Sequence, residues 1–142
     1  MKNSDVMTKD LIYSLPGDLV SDVAQLMKNE DIGPVLIVDD SDQGKRLVGI
    51  VTDRDLAIKV VGEGRDPQNT RVEDVMTEKV ITCRASDDVQ NAMRAMAQYQ
   101  LRRIPVVDDN GQLVGIISQA DVATRVNEPQ STAEVVKEIS RG

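Results

Sequence analysis

The chain has no histidine, tryptophan or phenylalanine, one cysteine, and two tyrosines in 142 residues. Without an imidazole, a Ser-His or Cys-His nucleophile and a histidine-ligated metal site are excluded, and Cys83 has no such base to activate it. No enzyme activity and no catalytic cofactor are therefore expected. A single cysteine closes no intrachain disulfide, which agrees with a reducing cytoplasm. Aromatic content of 1% argues against stacking-based recognition of single-stranded nucleic acid. A basic block is missing too, and 17 basic against 24 acidic residues give a net charge of −7. That sign opposes a general nucleic-acid partner or an acidic membrane surface, but a local cluster of donors still suits a small anion. Apolar runs fall far short of the roughly 20 residues that span a bilayer. Nor does Met1-Lys2-Asn3-Ser4-Asp5 lead into a signal-peptide core. The expectation is a cytoplasmic protein with no membrane or nucleic-acid partner.

What the chain does have, it has twice. Asp5-Val6-Met7-Thr8 recurs as Asp74-Val75-Met76-Thr77, and Leu47-Val48-Gly49-Ile50 recurs as Leu113-Val114-Gly115-Ile116. Pairing residues 5–40 with 74–109 and 47–60 with 113–126 gives 18 identities in 50 positions, against about three for unrelated sequence. The copies differ by a three-residue insertion within Ser41 to Arg46, where a surface turn absorbs it. A lone unit of about 60 residues buries too little surface to be stable, so the copies are expected to share a core.

Each copy reads as strand, helix, strand, strand, helix. A short apolar segment, Leu11-Ile12 or Val80-Ile81, precedes an amphipathic run: Val20, Val23, Ala24 and Met27, or Val89, Ala92, Met93, Met96 and Ala97. Gly17 or Asp18 is expected to start the first helix, and Ser86 or Asp87 to cap its counterpart. Val35 to Val38 and Ile104 to Val107 are apolar throughout, as buried strands are. Asp109-Asn110-Gly111-Gln112 signals a tight turn, which makes the next strand a hairpin partner. Leu47 to Thr52 and Leu113 to Ser118 then run into a second helix near Asp53 or Gln119. The division expected is repeat 1 over 5–61, a polar linker over 62–73, repeat 2 over 74–126, and a tail over 127–142 with a short helix.

Chemistry concentrates at the strand-to-helix junctions. Thr52 and Ser118 place a hydroxyl at a helix start, where unpaired backbone N–H groups favour an anion. Three residues on, Asp55 and Asp121 can accept from two adjacent hydroxyls, as a ribose presents them. The same residues also read as plain helix caps.

Both copies resemble the cystathionine-β-synthase (CBS) domain family through the opening DVMT, the segment Ile104-Pro105-Val106-Val107-Asp108, and the closing Gly-x-x-Thr/Ser-x-x-Asp. The resemblance covers residues 5–126. It implies an α/β (α+β) fold in which two pseudo-twofold-related β-α-β-β-α repeats pack into one module with clefts for adenosine-containing ligands. AMP, ADP or ATP lead, ahead of S-adenosylmethionine or NAD. Carried over by position, Asp55 and Asp121 look like ribose acceptors, and Thr52 and Ser118 like phosphate contacts. Ile12, Tyr13 and Val35 look like one adenine slot, and Ile81, Thr82, Cys83 and Pro105 like the other. Arg102 and Arg103 stand where the family often supplies phosphate contacts, and Arg54 flanks the first junction. Surface solvation is the plain reading of these arginines.

The copies are not equivalent: Gly33-Pro34 replaces the arginine pair in the first, and Gln119-Ala120 replaces Asp53-Arg54 in the second. One cleft is thus expected to suit phosphate better than the other. The resemblance implies a stand-alone regulatory module, a homodimer that passes occupancy to a separate, unknown protein; the alternative is a ligand-independent dimerisation scaffold.

Overall fold

A computed structural model describes residues 1–41 and 44–126. In chain order its elements are α1 (Asn3–Val6), β1 (Tyr13–Ser14), α2 (Val20–Glu30), β2 (Val35–Ser41), β3 (Gly44–Val51) and α3 (Asp53–Asp55), which runs on into a π-helical turn (Leu56–Val61). A 3₁₀ turn (Val72–Asp74) follows, then β4 (Cys83–Arg84), α4 (Val89–Gln98), β5 (Arg103–Val107), β6 (Leu113–Ser118) and α5 (Gln119–Val126). The expected tail helix lies outside the described residues.

The chain forms two compact units, one of Ile12–Val80 and one of Met1–Leu11 with the chain from Ile81 onward. Their limits cross the repeat boundaries. In the first unit β1 pairs parallel with β2, and β2 antiparallel with β3. In the second, β4, β5 and β6 repeat that order and sense. Each helix between the first two strands is the crossover that a parallel pair requires. The duplication extends to irregularities: the ladder slips between Ile37 and Val38, and again between their counterparts Val106 and Val107.

Helix ends show the same symmetry. Asp31 and its counterpart Gln100 both take positive φ, 53° and 56°. That left-handed residue lets the next N–H, of Ile32 or Leu101, return to the carbonyl of Met27 or Met96, closing the helix. At the other ends the expected caps move by one or two residues. Leu19 is the N-cap of α2 without a side-chain bond, because the Asp18 carboxylate accepts the Leu15 N–H instead. Asp88, and neither Ser86 nor Asp87, caps α4 by accepting the Gln90 N–H at 2.9 Å. The leading strands also move, from Leu11-Ile12 and Val80-Ile81 to Tyr13–Ser14 and Cys83–Arg84. Parallel register sets them, since Tyr13 falls opposite Leu36 and Cys83 opposite Val106.

Val20, Val23, Met27, Val35, Ile37, Val51, Val60, Val72 and Val75 form the core of the first unit. Ala24 and Ala97, placed by period on the apolar faces, are exposed. The stretch expected as a linker is packed: Val72 is fully buried, and the carbonyls of Thr70 and Pro67 accept the N–H groups of Val20 and Ser21 at the start of α2.

The DVMT segments have a job that no local rule reveals. Thr77 exchanges two backbone hydrogen bonds with Ile50 of β3, at 2.8 and 2.9 Å, while Thr8 exchanges two with Ile116 of β6, at 2.9 and 3.0 Å. Each repeat's opening motif therefore finishes the sheet of the unit that carries the other repeat's strands.

Candidate functional site

Both strand-to-helix junctions fold into reciprocal caps. Thr52 is extended and Asp55 helical; the Asp55 N–H donates to Thr52 Oγ1 at 3.1 Å, and the Thr52 N–H donates to Asp55 Oδ2 at 3.0 Å. Ser118 and Asp121 repeat this, at 2.9 Å from the Asp121 N–H to Ser118 Oγ and 3.2 Å from the Ser118 N–H to Asp121 Oδ2. Two helix-start donors are satisfied at each junction, so the capping reading of these residues is realised. One side-chain oxygen of each carboxylate is spent on it.

Around those caps the units diverge. Gln119 donates its N–H to the Arg102 carbonyl at 3.0 Å, and Arg103 lies directly across the ladder from Ser118. Opposed residues on antiparallel strands share a sheet face. The structure thus gathers Arg102, Arg103, Ser118 and Asp121 at one end of β5 and β6, with both arginines exposed. At the matching end of the first unit stand Gly33 and Pro34, and a β-carbon on Gly33 would lie 3.4 Å from Asp53 Oδ1. Arg54 is exposed there.

Asp55 has two further partners, Lys59 and Thr77, whose repeat counterparts are Arg125 and Thr8. Lys59 Nζ stands 3.3 Å from Asp55 Oδ1 and donates to the Val75 carbonyl at 3.0 Å. The Thr77 hydroxyl reaches Asp55 Oδ2 at 3.5 Å. Sequence reasoning missed Lys59 and Thr77. The recurrence of DVMT was a signal for Thr77, but its destination on β3 needed the fold.

The residues expected around adenine lie on or just before neighbouring strands, Ile12 and Tyr13 beside Val35 of β2 and Ile81, Thr82 and Cys83 beside Pro105 of β5. Tyr13 donates its hydroxyl to Asp40 Oδ2 at 2.8 Å, with Lys45 Nζ 5.3 Å from the ring centre. The bond to Asp40, then desolvation and the carboxylate's charge, raise the phenol's pKa. These contacts draw the ring to the outer part of the β2–β3 hairpin and do not join it to Thr52 or Asp55. Val35 is fully buried in the core. Ile12 is half-buried, Thr82 exposed and Pro105 buried, while Ile81 packs on the core of its own unit. Cys83 is buried opposite Val106, its thiol 3.7 Å from the Pro105 carbonyl.

Burial, and then the negative charge of Asp87, push that thiol up to about 11 from an ordinary 9.0. Since the thiolate is the reactive form, a thiol reagent at pH 8 should label native protein roughly 100-fold more slowly than urea-unfolded protein. Equal rates would contradict the burial. A raised folded pKa stabilises fully below about pH 9 and loses that contribution as pH rises toward 11.

Among the described residues no group of three His, Cys, Asp or Glu side chains is placed to hold a metal ion, and no helix is long and apolar enough to cross a membrane.

Two α/β units, each ending its hairpin in the same hydroxyl–carboxylate cap, define a duplicated module built from tandem repeats. The chain belongs to the CBS domain family, whose model matches residues 4–62 and 72–128. Hypoxic response protein 1 of Mycobacterium tuberculosis is 32% identical over 124 residues, which are 87% of this chain and 84% of that protein. A crystal structure of Hypoxic Response Protein I with two coordinated zinc ions superposes with a TM-score of 0.74 at 31% identity, covering 87% of this chain and 98% of that one. The structure of CBSX2 in complex with AMP superposes at 0.71, with 28% identity and 87% and 93% of the two chains covered. The CBS domain pair of MJ0100 with 5′-methylthioadenosine and S-adenosyl-L-methionine gives 0.68, with 28% identity and 87% and 94% covered.

Proposed function

We propose that the chain is a regulatory module that binds an adenosine-containing ligand, AMP, ADP or ATP ahead of S-adenosylmethionine or NAD, and passes occupancy to a separate protein. The observation that carries this is the gathering of Arg102, Arg103, Ser118 and Asp121 at one sheet end. Guanidinium groups suit phosphate oxygens, and a carboxylate suits a ribose diol. AMP in CBSX2 and the adenosyl ligands in MJ0100 support the ligand class. In an acidic protein the arginine pair selects for the anionic members of that class. Regulation follows if the ligand prefers one of two states, because only differential affinity moves an equilibrium. A homodimer is the assembly proposed, and Ile58 and Val61, 50% and 77% exposed, are apolar surface it would cover.

The test is a calorimetric titration of AMP, ADP, ATP, adenosine, NAD and S-adenosylmethionine into wild type and Asp121→Ala. Saturable binding is expected, weakened in the variant by about 1–3 kcal/mol, the cost of a lost buried hydrogen bond. The broken cap should also lower stability by roughly 1 kcal/mol. Unchanged affinity in the variant would reject Asp121, and no binding by any of the six would move the reading to an interaction scaffold.

A further inference from the structure

We propose that residues 1–8 form a releasable strap on the sheet of the second repeat's strands, and that a nucleotide bound at Ser118 and Asp121 holds the strap closed. The coupling to a ligand rests on the function proposed above. The strap itself rests on geometry within the unit of Met1–Leu11 and the chain from Ile81 onward.

The segment holds both outer strands of the β4-β5-β6 sheet. On β6, Thr8 exchanges two backbone hydrogen bonds with Ile116 at 2.9 and 3.0 Å, and Ile116 precedes the Ser118 cap by two residues. Where the chain leaves β4, the Asn3 and Ser4 N–H groups donate to the carbonyls of Asp87 and Ala85 at 2.9 and 3.1 Å, and the Val89 N–H donates to the Met1 carbonyl at 2.9 Å. The Asn3 side chain adds a bond from Nδ2 to the Arg84 carbonyl, at 2.7 Å. These bonds are contiguous along one short segment, so they open together, as a local unfolding unit does.

Residues 70–77 repeat the arrangement within the Ile12–Val80 unit. Thr77 pairs with Ile50, the Val72 and Glu73 N–H groups donate to the carbonyls of Asp18 and Pro16 at 2.8 and 3.0 Å, and the Val20 N–H donates to the Thr70 carbonyl at 2.9 Å. The two segments differ at their anchor. Val72 is fully buried in an apolar core, whereas Asn3, at the same repeat position, is a fully buried amide. Its Oδ1 has no hydrogen-bond partner among the described residues. Burial stabilises a valine, but a buried oxygen left unpaired keeps its desolvation penalty, which water relieves when the segment opens. The same backbone bonds therefore hold residues 1–8 with a weaker anchor, and they open at a lower free energy than residues 70–77.

Opening frees the β6 backbone at Ile116 and the end of β4 at once. A nucleotide that needs Arg103 and Ser118 fixed across their ladder binds the closed strap better than the open one. That difference in affinity is what a regulatory equilibrium requires.

The test is residue-resolved hydrogen exchange on the whole protein, wild type and Asn3→Val, with and without AMP. In wild type the Asn3, Ser4, Thr8 and Ile116 amides should be about tenfold or more less protected than their counterparts Val72, Glu73, Thr77 and Ile50. Asn3→Val removes the unpaired oxygen and leaves the Asp87 N–H on the Arg84 carbonyl at 3.2 Å. Protection of Ser4, Thr8 and Ile116 should then rise about tenfold. Saturating AMP, at about 100 times its dissociation constant, should raise it in wild type by up to roughly 100-fold. Equal protection of the two segments, or no gain in Asn3→Val, would overturn the strap. AMP binding that leaves exchange at Thr8 and Ile116 unchanged would overturn the coupling. If calorimetry finds no adenosyl ligand bound, the proposed function fails, and exchange without ligand decides the strap by itself.

Discussion

Replacing Arg102 and Arg103 together by alanine should weaken ATP and AMP binding by about 100-fold while changing adenosine affinity less than about threefold. A hydrogen bond to a charged group contributes roughly 1.5–3 kcal/mol. Two such bonds, partly screened at exposed arginines, leave about 3 kcal/mol, or two factors of ten. Adenosine has no phosphate to lose. The gap between nucleotide and nucleoside should also narrow as salt rises, since both guanidinium groups are solvent-exposed. Lysine at both positions should restore only part of the affinity, because a point charge lacks the planar fork that engages phosphate in two bonds. Calorimetry with the three ligands at two salt concentrations measures all of this. Equal losses for adenosine and ATP would remove the phosphate role from the pair.

The second large effect concerns stability. A β-carbon at Gly115 would overlap Met7 Sδ and lie 2.8 Å from Met7 Cγ and 3.0 Å from its Cβ. Rotating the methionine relieves the sulfur contact but not the contact with its Cβ. The segment carrying Val6, itself 4% exposed, must then lift from β6, straining the Thr8–Ile116 bridge. Gly115→Ala should cost about 2–3 kcal/mol in urea unfolding, at the upper end of overpacking effects. Adding Met7→Gly, which removes the Cβ as well, should recover at least half of that, a coupling that a double-mutant cycle reads directly. Gly49 offers the contrast. Its β-carbon would meet Met76 Sδ at 2.7 Å but also the Thr77 carbonyl oxygen at 3.1 Å, and backbone does not move aside when a side chain is trimmed. Met76→Gly should therefore rescue Gly49→Ala less well than Met7→Gly rescues Gly115→Ala. Equal rescue in both pairs would contradict the geometry.

Much of the fold was legible because the physics involved is local or periodic. Val20, Val23 and Met27 repeat at helical spacing and are buried. Val35 to Val38 are continuously apolar and form the buried half of β2, and Asp109-Asn110-Gly111 marks the turn between β5 and β6. The misses have physical causes. Leu11-Ile12 and Val80-Ile81 are apolar enough for strands, yet pairing begins at Tyr13 and Cys83 because register with the partner strand, not hydrophobicity, decides where a ladder starts. The Tyr13 hydroxyl finds a partner that its sequence neighbours do not suggest, Asp40, four residues beyond its ladder partner. The stretch 62–73, proposed as the linker, largely lies between the two family matches, and Val72 and the Thr70 carbonyl find partners around the start of α2.

By itself the sequence determined that this is a duplicated α/β chain, that each copy closes on a hydroxyl and a carboxylate three residues apart, and that only the second copy has an arginine pair just before its Ile104-Pro105 segment. Those are properties of pattern and spacing, which survive without coordinates. Tertiary structure decided which unit each DVMT segment completes, that the Arg103 and Ser118 positions face each other across a ladder, and that Asp55 meets Lys59, Val75 and Thr77. Thr77 lies 22 residues from Asp55, a separation over which local propensity carries no information. Only the folding of the Ile12–Val80 unit around its own core brings such groups into hydrogen-bonding distance.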